Sequence, residues 1–174
     1  AISQDGKTYN RFCFVTPDGK VEYYDKRHLF TYAGEGEYIT PGHSRKVVVF
    51  RGVRIMLQVC YDLRFPVFVR NRDDYDMIIY VASWPIARKI AWNTLIRARA
   101  IENQCYVAAV NRVGVDQFGV YSGDSVLISP YGENVVVAEE SKVDMVSAEL
   151  DMDKLNHFRE KFPVLDDADT YMYM

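Results

Sequence analysis

The sequence predicts a layered α/β protein with mixed sheets, and three observations support this class. Short apolar stretches rich in branched residues alternate with a helical pattern in the middle of the chain, and turn signals join strand-like segments near both ends. At 174 residues the chain is long enough for a domain with a substantial core. No internal repeat or low-complexity linker divides the sequence, so we expect a single domain over residues 1–174.

The N-terminal half is predicted to contain two hairpins separated by a long loop. Its strand-like segments fall at 9–16, 21–24, 46–50, 53–60 and 76–82. Turn signals at Pro17-Asp18-Gly19-Lys20 and Arg51-Gly52 close the two hairpins. Residues 25–44 lack sustained periodicity and contain several glycines, and long loops within domains often carry functional residues. A short helix is expected at 66–72.

The C-terminal half is predicted to begin with its clearest helix and to end with another. Its strand-like segments fall at 105–110, 124–129, 134–138 and 143–150. The helix at 88–104 has an apolar stripe that suits packing on a sheet. Asp151 is expected to cap the final helix, which runs to about Glu160. Residues 111–123 read as a glycine-bearing loop.

Composition and charge exclude several function classes. The net charge of −3 and the absence of a basic block argue against nucleic acid as a partner. No apolar run approaches the ~18 residues that a membrane span needs. The three cysteines and three histidines are scattered, so no metal site is predicted. An odd number of unclustered cysteines suits free thiols in a reducing compartment, and we expect a cytoplasmic protein.

Cys60 stands where the apolar segment 54–59 ends and Tyr61-Asp62-Leu63-Arg64-Phe65-Pro66 begins. The segment reads as a buried strand with Cys60 at its carboxyl end, and Pro66 suits the first turn of a helix. Because a helix start offers unpaired N–H groups and a positive dipole, a thiol there is expected to ionise more easily. Free cysteines are also commonly small buried apolar residues. The local sequence therefore leaves a nucleophile and a buried thiol both open.

A series of segments in order along the chain resembles the signatures of one enzyme family. The segments are Tyr24-Asp25-Lys26-Arg27-His28-Leu29-Phe30, Val59-Cys60-Tyr61-Asp62-Leu63-Arg64-Phe65-Pro66, Ser83-Trp84-Pro85, 97–104, 110–114, 122–125 and 160–163. Together they cover nearly the whole chain and resemble the nitrilase (carbon–nitrogen hydrolase) superfamily, within it the bacterial ω-amidase-like amidohydrolases. The resemblance implies an αββα four-layer sandwich of mixed β-sheets.

The resemblance also implies a Glu–Lys–Cys triad with a second, supporting glutamate. Cys60 is then the nucleophile that attacks a carbonyl or nitrile carbon, and Lys26 stabilises the tetrahedral oxyanion. The backbone N–H of Tyr61 is the other expected oxyanion donor. Spacing from the lysine segment favours Glu35 as the supporting glutamate, and Glu37 on the same loop is the alternative. The resemblance implies no metal and no organic cofactor.

The family's general-base glutamate lies well upstream of its lysine, and this chain departs from that pattern. Only 25 residues precede Lys26, and their acids are Asp5, Asp18, Glu22 and Asp25. None of them has the context of the family's first glutamate. We therefore expect this chain to be the C-terminal portion of an amidase whose catalytic base lies on sequence before residue 1.

The resemblance places Trp84 and Arg64 among the substrate-binding residues. Trp84 is expected either to line the pocket or to pack in the core, and Arg64 either to face a substrate carboxylate or to pair with an acid. Three further basic residues, Arg88, Lys89 and Arg112, are candidates for binding that carboxylate. The residues expected to fix neighbouring loops rather than to act chemically are Asn111, Arg112, Asp124 and Ser125.

The implied activity is cleavage of the terminal C–N amide bond of a small ω-amide of a dicarboxylate, such as an α-keto acid amide, through a thioester and with release of ammonia. An N-carbamoyl or other aliphatic amidase of the same superfamily is an alternative, distinguished by release of carbon dioxide with the ammonia. A non-catalytic interaction module is another alternative. The implied partners are a small-molecule amide and further copies of this chain in a homodimer or larger homo-oligomer. Neither nucleic acid nor a membrane is expected as a partner. The aromatic tail 171–174 is a candidate for the contact between copies.

Overall fold

The structure is a computed structural model, and it describes residues 1–170. Its strands are β1 (Ile2–Gln4), β2 (Lys7–Tyr9), β3 (Arg11–Val15), β4 (Val21–Asp25), β5 (Val47–Phe50), β6 (Val53–Val59), β7 (Met77–Ala82), β8 (Tyr106–Asn111), β9 (Val113–Asp116), β10 (Gly119–Ser122), β11 (Val126–Ile128) and β12 (Asn134–Val137). Its helices are α1 (Pro66–Val69), α2 (Lys89–Glu102) and α3 (Met152–Lys161). Short 3₁₀ turns cover Thr31–Ala33, Glu35–Glu37, Cys60–Arg64 and Ile86–Arg88. The tail 171–174, a candidate for subunit contact, lies outside the described residues.

A six-stranded mixed sheet in the order β12-β11-β8-β7-β6-β5 organises the molecule. Strands β6, β7 and β8 run parallel, and their register places Val59 of β6 beside Val81 of β7. The carboxyl ends of parallel strands meet at one edge of a sheet, where ligand sites are commonly found. Cys60 and the loop after β7 therefore lie side by side at this edge.

Neighbouring residues of β7 pack in different cores because side chains alternate along a strand. Ile78 of β7 lies in the larger core with Trp92 and Ile96 of α2. Met77, the preceding residue of β7, lies in a second core with Leu155 of α3. Helices on both faces of a mixed sheet confirm the predicted α/β class.

The predicted first hairpin is confirmed as the antiparallel pair β3–β4. Its turn is closed by a hydrogen bond of 2.8 Å from the Gly19 N–H to the Thr16 carbonyl. Phe12 and Phe14 of β3 pack against the larger core, so the hairpin lies against β6. Because β4 ends at Asp25, Lys26 is the first residue beyond the hairpin.

The second hairpin and the final helix also follow the prediction. Strands β5 and β6 pair antiparallel across the turn at 51–52. The Asp151 side chain accepts a hydrogen bond of 2.8 Å from the Lys154 N–H, as an N-cap residue does at the start of a helix. The helix predicted at 66–72 is shorter than expected, since α1 ends at Val69.

Two segments differ from the prediction. Residues 111–123 are not a loop, because β9 and β10 form an antiparallel hairpin. The glycines in this segment interrupt the alternation that predicts a strand, and the prediction of a loop was therefore wrong. Residues 143–150 alternate like a strand but have no regular structure. The side chains of Val143 and Met145 are 92% and 93% exposed, so neither is held by packing on the described part of the chain.

Candidate active site

Cys60 follows β6 directly and is the first residue of a 3₁₀ turn. Its φ of 49° lies in the left-handed region, which costs a residue with a side chain some energy and is concentrated at functional sites. The Cys60 Sγ lies 3.8 Å from the Ser83 carbonyl oxygen at the end of β7. The turn therefore presents the thiol at the carboxyl edge of the sheet.

The expectation that this thiol ionises easily is wrong for the free protein. Burial raises the pKa of Cys60 above its ordinary value of 9.0, and the charge of Lys26 only partly opposes this rise. The physical reason is that desolvation disfavours the thiolate more than the nearby ammonium group favours it. Cys60 is therefore mainly a neutral thiol at pH 7, and attack requires removal of its proton.

Lys26 is buried beneath the same edge and pairs with Glu35. The Lys26 Nζ lies 2.6 Å from the Glu35 Oε2, and the Lys26 side chain is 3% exposed. Two further donors bind Glu35: the Asn10 side chain at 2.9 Å and the Phe30 N–H at 2.6 Å. Glu37 is exposed on the same turn and does not line the cavity described below. The geometry thus brings Glu35, rather than Glu37, to the lysine.

The environment of Glu35 keeps it charged. Burial alone would raise its pKa, but the hydrogen bonds from Lys26, Phe30 and Asn10 and the charge of Lys26 outweigh burial and hold the pKa below its ordinary value of 4.5. A carboxylate fixed by an ammonium and two N–H donors orients that ammonium in turn. Asn10 was not anticipated, because nothing in its local sequence marks it as a partner of a loop residue 25 positions away.

Asp62 joins the nucleophile turn to the lysine segment. It has no exposed surface, and its Oδ2 accepts hydrogen bonds from the Tyr24 hydroxyl at 2.9 Å and the Val59 N–H at 3.1 Å. Its Oδ1 accepts a hydrogen bond from the His28 N–H at 3.0 Å and lies 2.8 Å from the His28 Nδ1. Sequence reasoning missed this role, since neither segment alone indicates the contact.

Gly42 anchors the loop against the lysine. Its N–H donates a hydrogen bond of 2.8 Å to the Lys26 carbonyl. A Cβ at this position would lie 2.1 Å from the Asp25 carbonyl oxygen, so only glycine fits. The loop that carries Glu35 is therefore held closely against the end of β4.

A cavity of about 760 Å³ opens above Cys60, a size typical of small-molecule sites. Its lining residues are Asn10, Lys26, Phe30, Tyr32, Ala33, Glu35, Tyr38, Ile39, Val59, Cys60, Tyr61, Arg64, Val81, Ala82, Ser83, Trp84, Pro85, Arg88, Phe118 and Tyr121. All six residues predicted for the site are among them: Cys60, Lys26, Glu35, Tyr61, Trp84 and Arg64. Within the part of the chain that the structure describes, Glu35 is the one carboxylate of this lining.

Trp84 both lines the cavity and packs in the core, so the two expectations for it are compatible. Its indole lies 5.6 Å from that of Trp92, and its Nε1 donates a hydrogen bond of 2.9 Å to the Arg88 carbonyl. Asn111 accepts the Trp84 N–H at 2.7 Å and donates to the Trp84 carbonyl at 2.9 Å. Asn111 thus fixes a neighbouring loop, as predicted.

The other residues expected to fix loops also have structural partners. Arg112 pairs with Asp116 at 2.7 Å on the β9–β10 hairpin. Asp124 lies 2.7 Å from the Lys89 ammonium. The Ser125 hydroxyl accepts the Asn111 N–H at 2.9 Å. These contacts hold the elements around the cavity in place.

The remaining acids before Lys26 lie away from the cavity. Asp25 pairs with Arg11 at 2.6 Å, and Glu22 pairs with Lys46 at 2.5 Å. The Asp18 carboxylate accepts a hydrogen bond from the Thr16 hydroxyl within the same turn, and Asp5 is exposed. Among residues 1–170, then, none of these four acids lines the cavity above Cys60.

Two features of the described residues bear on other classes of site. Of the helices in residues 1–170, none has the length and apolar character that crossing a bilayer requires. In the same residues, no three or more His, Cys, Asp or Glu side chains cluster in a way that could hold a metal ion.

Comparison with known proteins places these features in a family. Residues 2–160 match the carbon–nitrogen hydrolase family model. The chain is 49% identical to the omega-amidase YafV of Yersinia enterocolitica, covering 100% of this chain and 68% of that protein. It is 33% identical to the 2-oxoglutaramate amidase of Bacillus subtilis, covering 99% of this chain and 68% of that protein.

A solved structure shares the fold. The crystal structure of XC1258 from Xanthomonas campestris, a CN-hydrolase superfamily protein with an arsenic adduct in its active site, matches with a TM-score of 0.96 and 43% identity. It covers 99% of this chain and 68% of that one. The predicted α/β sandwich of mixed sheets is therefore confirmed. The chain spans 68% of the length of each of these three proteins, and the position of the first glutamate before residue 1 stays a prediction. With a family match over residues 2–160 and close relatives along its length, the chain belongs to the carbon–nitrogen hydrolase family.

Proposed function

We propose that this protein hydrolyses the terminal amide of a small ω-amide of a dicarboxylate, with Cys60 as the nucleophile. The observation that carries the proposal is the cavity in which the Cys60 thiol lies with the Lys26–Glu35 pair, whose Nζ–Oε2 distance is 2.6 Å. The names of the relatives, an omega-amidase and a 2-oxoglutaramate amidase, support this substrate class.

In the first half of the proposed reaction, the Cys60 sulfur attacks the amide carbon and forms a tetrahedral oxyanion. The Lys26 ammonium and the Tyr61 backbone N–H stabilise the negative oxygen. A general base takes the proton of the thiol and passes it to the leaving nitrogen, while Glu35 holds the Lys26 ammonium in place. The C–N bond then breaks, and ammonia leaves a thioester on Cys60.

In the second half, water attacks the thioester carbon and releases the carboxylic acid. The thiolate leaves and recovers a proton from the attacking water, so the sum of the steps is amide plus water giving acid plus ammonia. The raised pKa of Cys60 is consistent with this sequence, because the thiol is neutral until substrate binds and a proton acceptor is engaged. Trp84 forms the wall beside the reacting group. The guanidinium carbon of Arg64 lies 5.1 Å from the ring centroid of Trp84, and Arg64 binds the substrate from this position.

The test is release of ammonia from a panel of ω-amides by the full protein. Cys60→Ala is expected to abolish release, and mass spectrometry of the wild type during turnover is expected to show an acyl adduct on Cys60. Release of carbon dioxide with the ammonia would indicate an N-carbamoyl amidase instead. Absence of ammonia from every amide would favour the non-catalytic module and contradict the proposal.

We also infer a cytoplasmic homo-oligomer. Ile90 at the start of α2 is 84% exposed, and Ile86 in the preceding turn is exposed as well, which supports burial of this patch against a second copy. The free cysteines support a reducing compartment. Light scattering during size-exclusion chromatography would measure the oligomeric state, and a monomer at micromolar concentration would contradict the inference.

A further inference from the structure

Asn10 stands between β2 and β3 and lines the cavity. Its backbone and its side chain bind different partners. The Asn10 carbonyl accepts a hydrogen bond of 2.9 Å from the Lys26 N–H. The Asn10 Nδ2 donates a hydrogen bond of 2.9 Å to the Glu35 Oε1. One residue thus binds both members of the Lys26–Glu35 pair.

The two carboxylate oxygens of Glu35 have different donors. Oε2 lies 2.6 Å from the Lys26 Nζ and accepts the Phe30 N–H at 2.6 Å, whereas Oε1 accepts the Asn10 amide. The last torsion of a glutamate side chain is broad and roughly two-fold, so donors to a single oxygen restrict it less than donors to both. The bond from Asn10 therefore fixes the plane of the carboxylate.

The charge of Glu35 strengthens this bond and sets its direction. An ionised carboxylate accepts hydrogen bonds and donates none, so Asn10 presents its amide nitrogen to Glu35. Hydrogen bonds to an ionised acceptor are stronger than those between neutral groups. The bond from Asn10 is also one of the contacts that hold the pKa of Glu35 below its ordinary value.

Contacts on either side of Asn10 hold its backbone in place. The Thr8 carbonyl accepts the Thr40 N–H at 2.7 Å, which ties β2 to the chain that follows the Glu35 turn. Arg11, the next residue after Asn10, pairs with Asp25 at 2.6 Å. A supporting side chain on a fixed backbone can hold a functional group in its productive geometry.

We propose that Asn10 is a positioning residue for the hydrolysis: it fixes the plane of the Glu35 carboxylate, so that Oε2 stays on the Lys26 ammonium and the ammonium stays where the oxyanion forms. This inference rests on the proposed amidase function and extends the machinery by one residue. Without the bond to Oε1 the carboxylate can turn, and the ammonium is then held less closely. The effect of Asn10 on the reaction therefore passes through Glu35.

The experiment measures the hydrolysis of succinamate, a monoamide of a dicarboxylic acid, by the full protein. Asn10→Ala removes the donor but keeps the backbone carbonyl that binds the Lys26 N–H. It is expected to lower kcat by about 10-fold, the scale of a hydrogen bond to a charged group. KM should stay nearly unchanged, because the ammonium acts on the transition state. Asn156→Ala, on an exposed position of α3, is the control and should leave kcat unchanged.

Asn10→Asp keeps the shape of the side chain but turns an oxygen toward Glu35, so it is expected to lose at least as much kcat as Asn10→Ala. This variant also carries the test if urea denaturation shows that Asn10→Ala does not fold.

A double variant separates positioning from a general loss of structure. If Asn10 acts through Glu35, its removal has no further effect once the carboxylate is gone. The variant with both Asn10→Ala and Glu35→Ala is therefore expected to have the kcat of Glu35→Ala alone. A role in folding alone would instead multiply the two losses.

Three results would overturn the assignment of Asn10 in a wild type that releases ammonia. They are a wild-type kcat in both single variants, a loss confined to KM, and multiplied losses in the double variant. If the wild type releases ammonia from no ω-amide, the proposed function itself fails, and the role of Asn10 fails with it.

Discussion

Asp62 and Glu35 are both carboxylates beside the nucleophile, but their surroundings give them different tasks. Asp62 has no exposed surface, and its donors come from the nucleophile turn and from the lysine segment. Glu35 lines the cavity and holds the ammonium group of Lys26. Asp62 joins the nucleophile turn to the lysine segment, whereas Glu35 orients the ammonium group of Lys26.

This difference separates stability from activity in a testable way. Loss of Asp62 leaves buried donors without an acceptor and releases the turn from the lysine segment, so both folding and catalysis depend on it. Loss of the Glu35 charge leaves a partly open site in which water can replace some contacts. We therefore expect its effect to fall mainly on the reaction.

The largest effect is expected for Asp62→Asn. The amide has the shape of the carboxylate but only one acceptor oxygen for four close donor atoms, so the free energy of unfolding should fall by ~3 kcal/mol or more. Urea denaturation measures this change. Asp5→Asn, on an exposed turn, is the matched control and should stay within ~0.5 kcal/mol of the wild type. A variant as stable as the wild type would contradict the anchoring role of Asp62.

The next largest effect is expected for Glu35→Gln, on rate rather than on stability. Removing the charge that orients the ammonium should lower kcat by ~100-fold or more, about 2.7 kcal/mol in the barrier. Ammonia release under substrate saturation measures kcat, and urea denaturation should show a smaller loss of stability than for Asp62→Asn. Glu37→Gln on the same turn is the control. The assignment fails if Glu37→Gln loses the activity and Glu35→Gln keeps it.

The same two carboxylates show how far the sequence reaches. The composition of the strand predicted that β6 ends next to Cys60, because strand composition is a local signal. The spacing of the loop favoured Glu35 over Glu37 as the partner of Lys26, because this spacing follows a family pattern. The contacts of Asp62 join positions 34 residues apart, and those of Asn10 join positions 25 apart. Such contacts arise from tertiary packing, which periodicity and turn chemistry do not encode.

The pKa of Cys60 shows a second limit of the sequence. A helix start after a strand predicts an easily ionised thiol, because the local dipole is visible in the pattern. The degree of burial is set by the whole cavity wall, including the β9–β10 hairpin that the sequence did not predict. Desolvation therefore outweighed the local effect, and the direction of the shift was predicted wrongly.

The smallest effect is expected in the pH dependence of stability. The pKa of Glu35 in the folded protein lies below its ordinary value of 4.5, so its contribution is complete above pH 4.5 and is lost as the pH falls through the folded-state pKa. The difference in free energy of unfolding between wild type and Glu35→Gln should therefore be larger at pH 6 than at pH 3. Urea denaturation across this range measures it, and a difference that grows on acidification would mean that Lys26, Phe30 and Asn10 do not favour the charged form of Glu35.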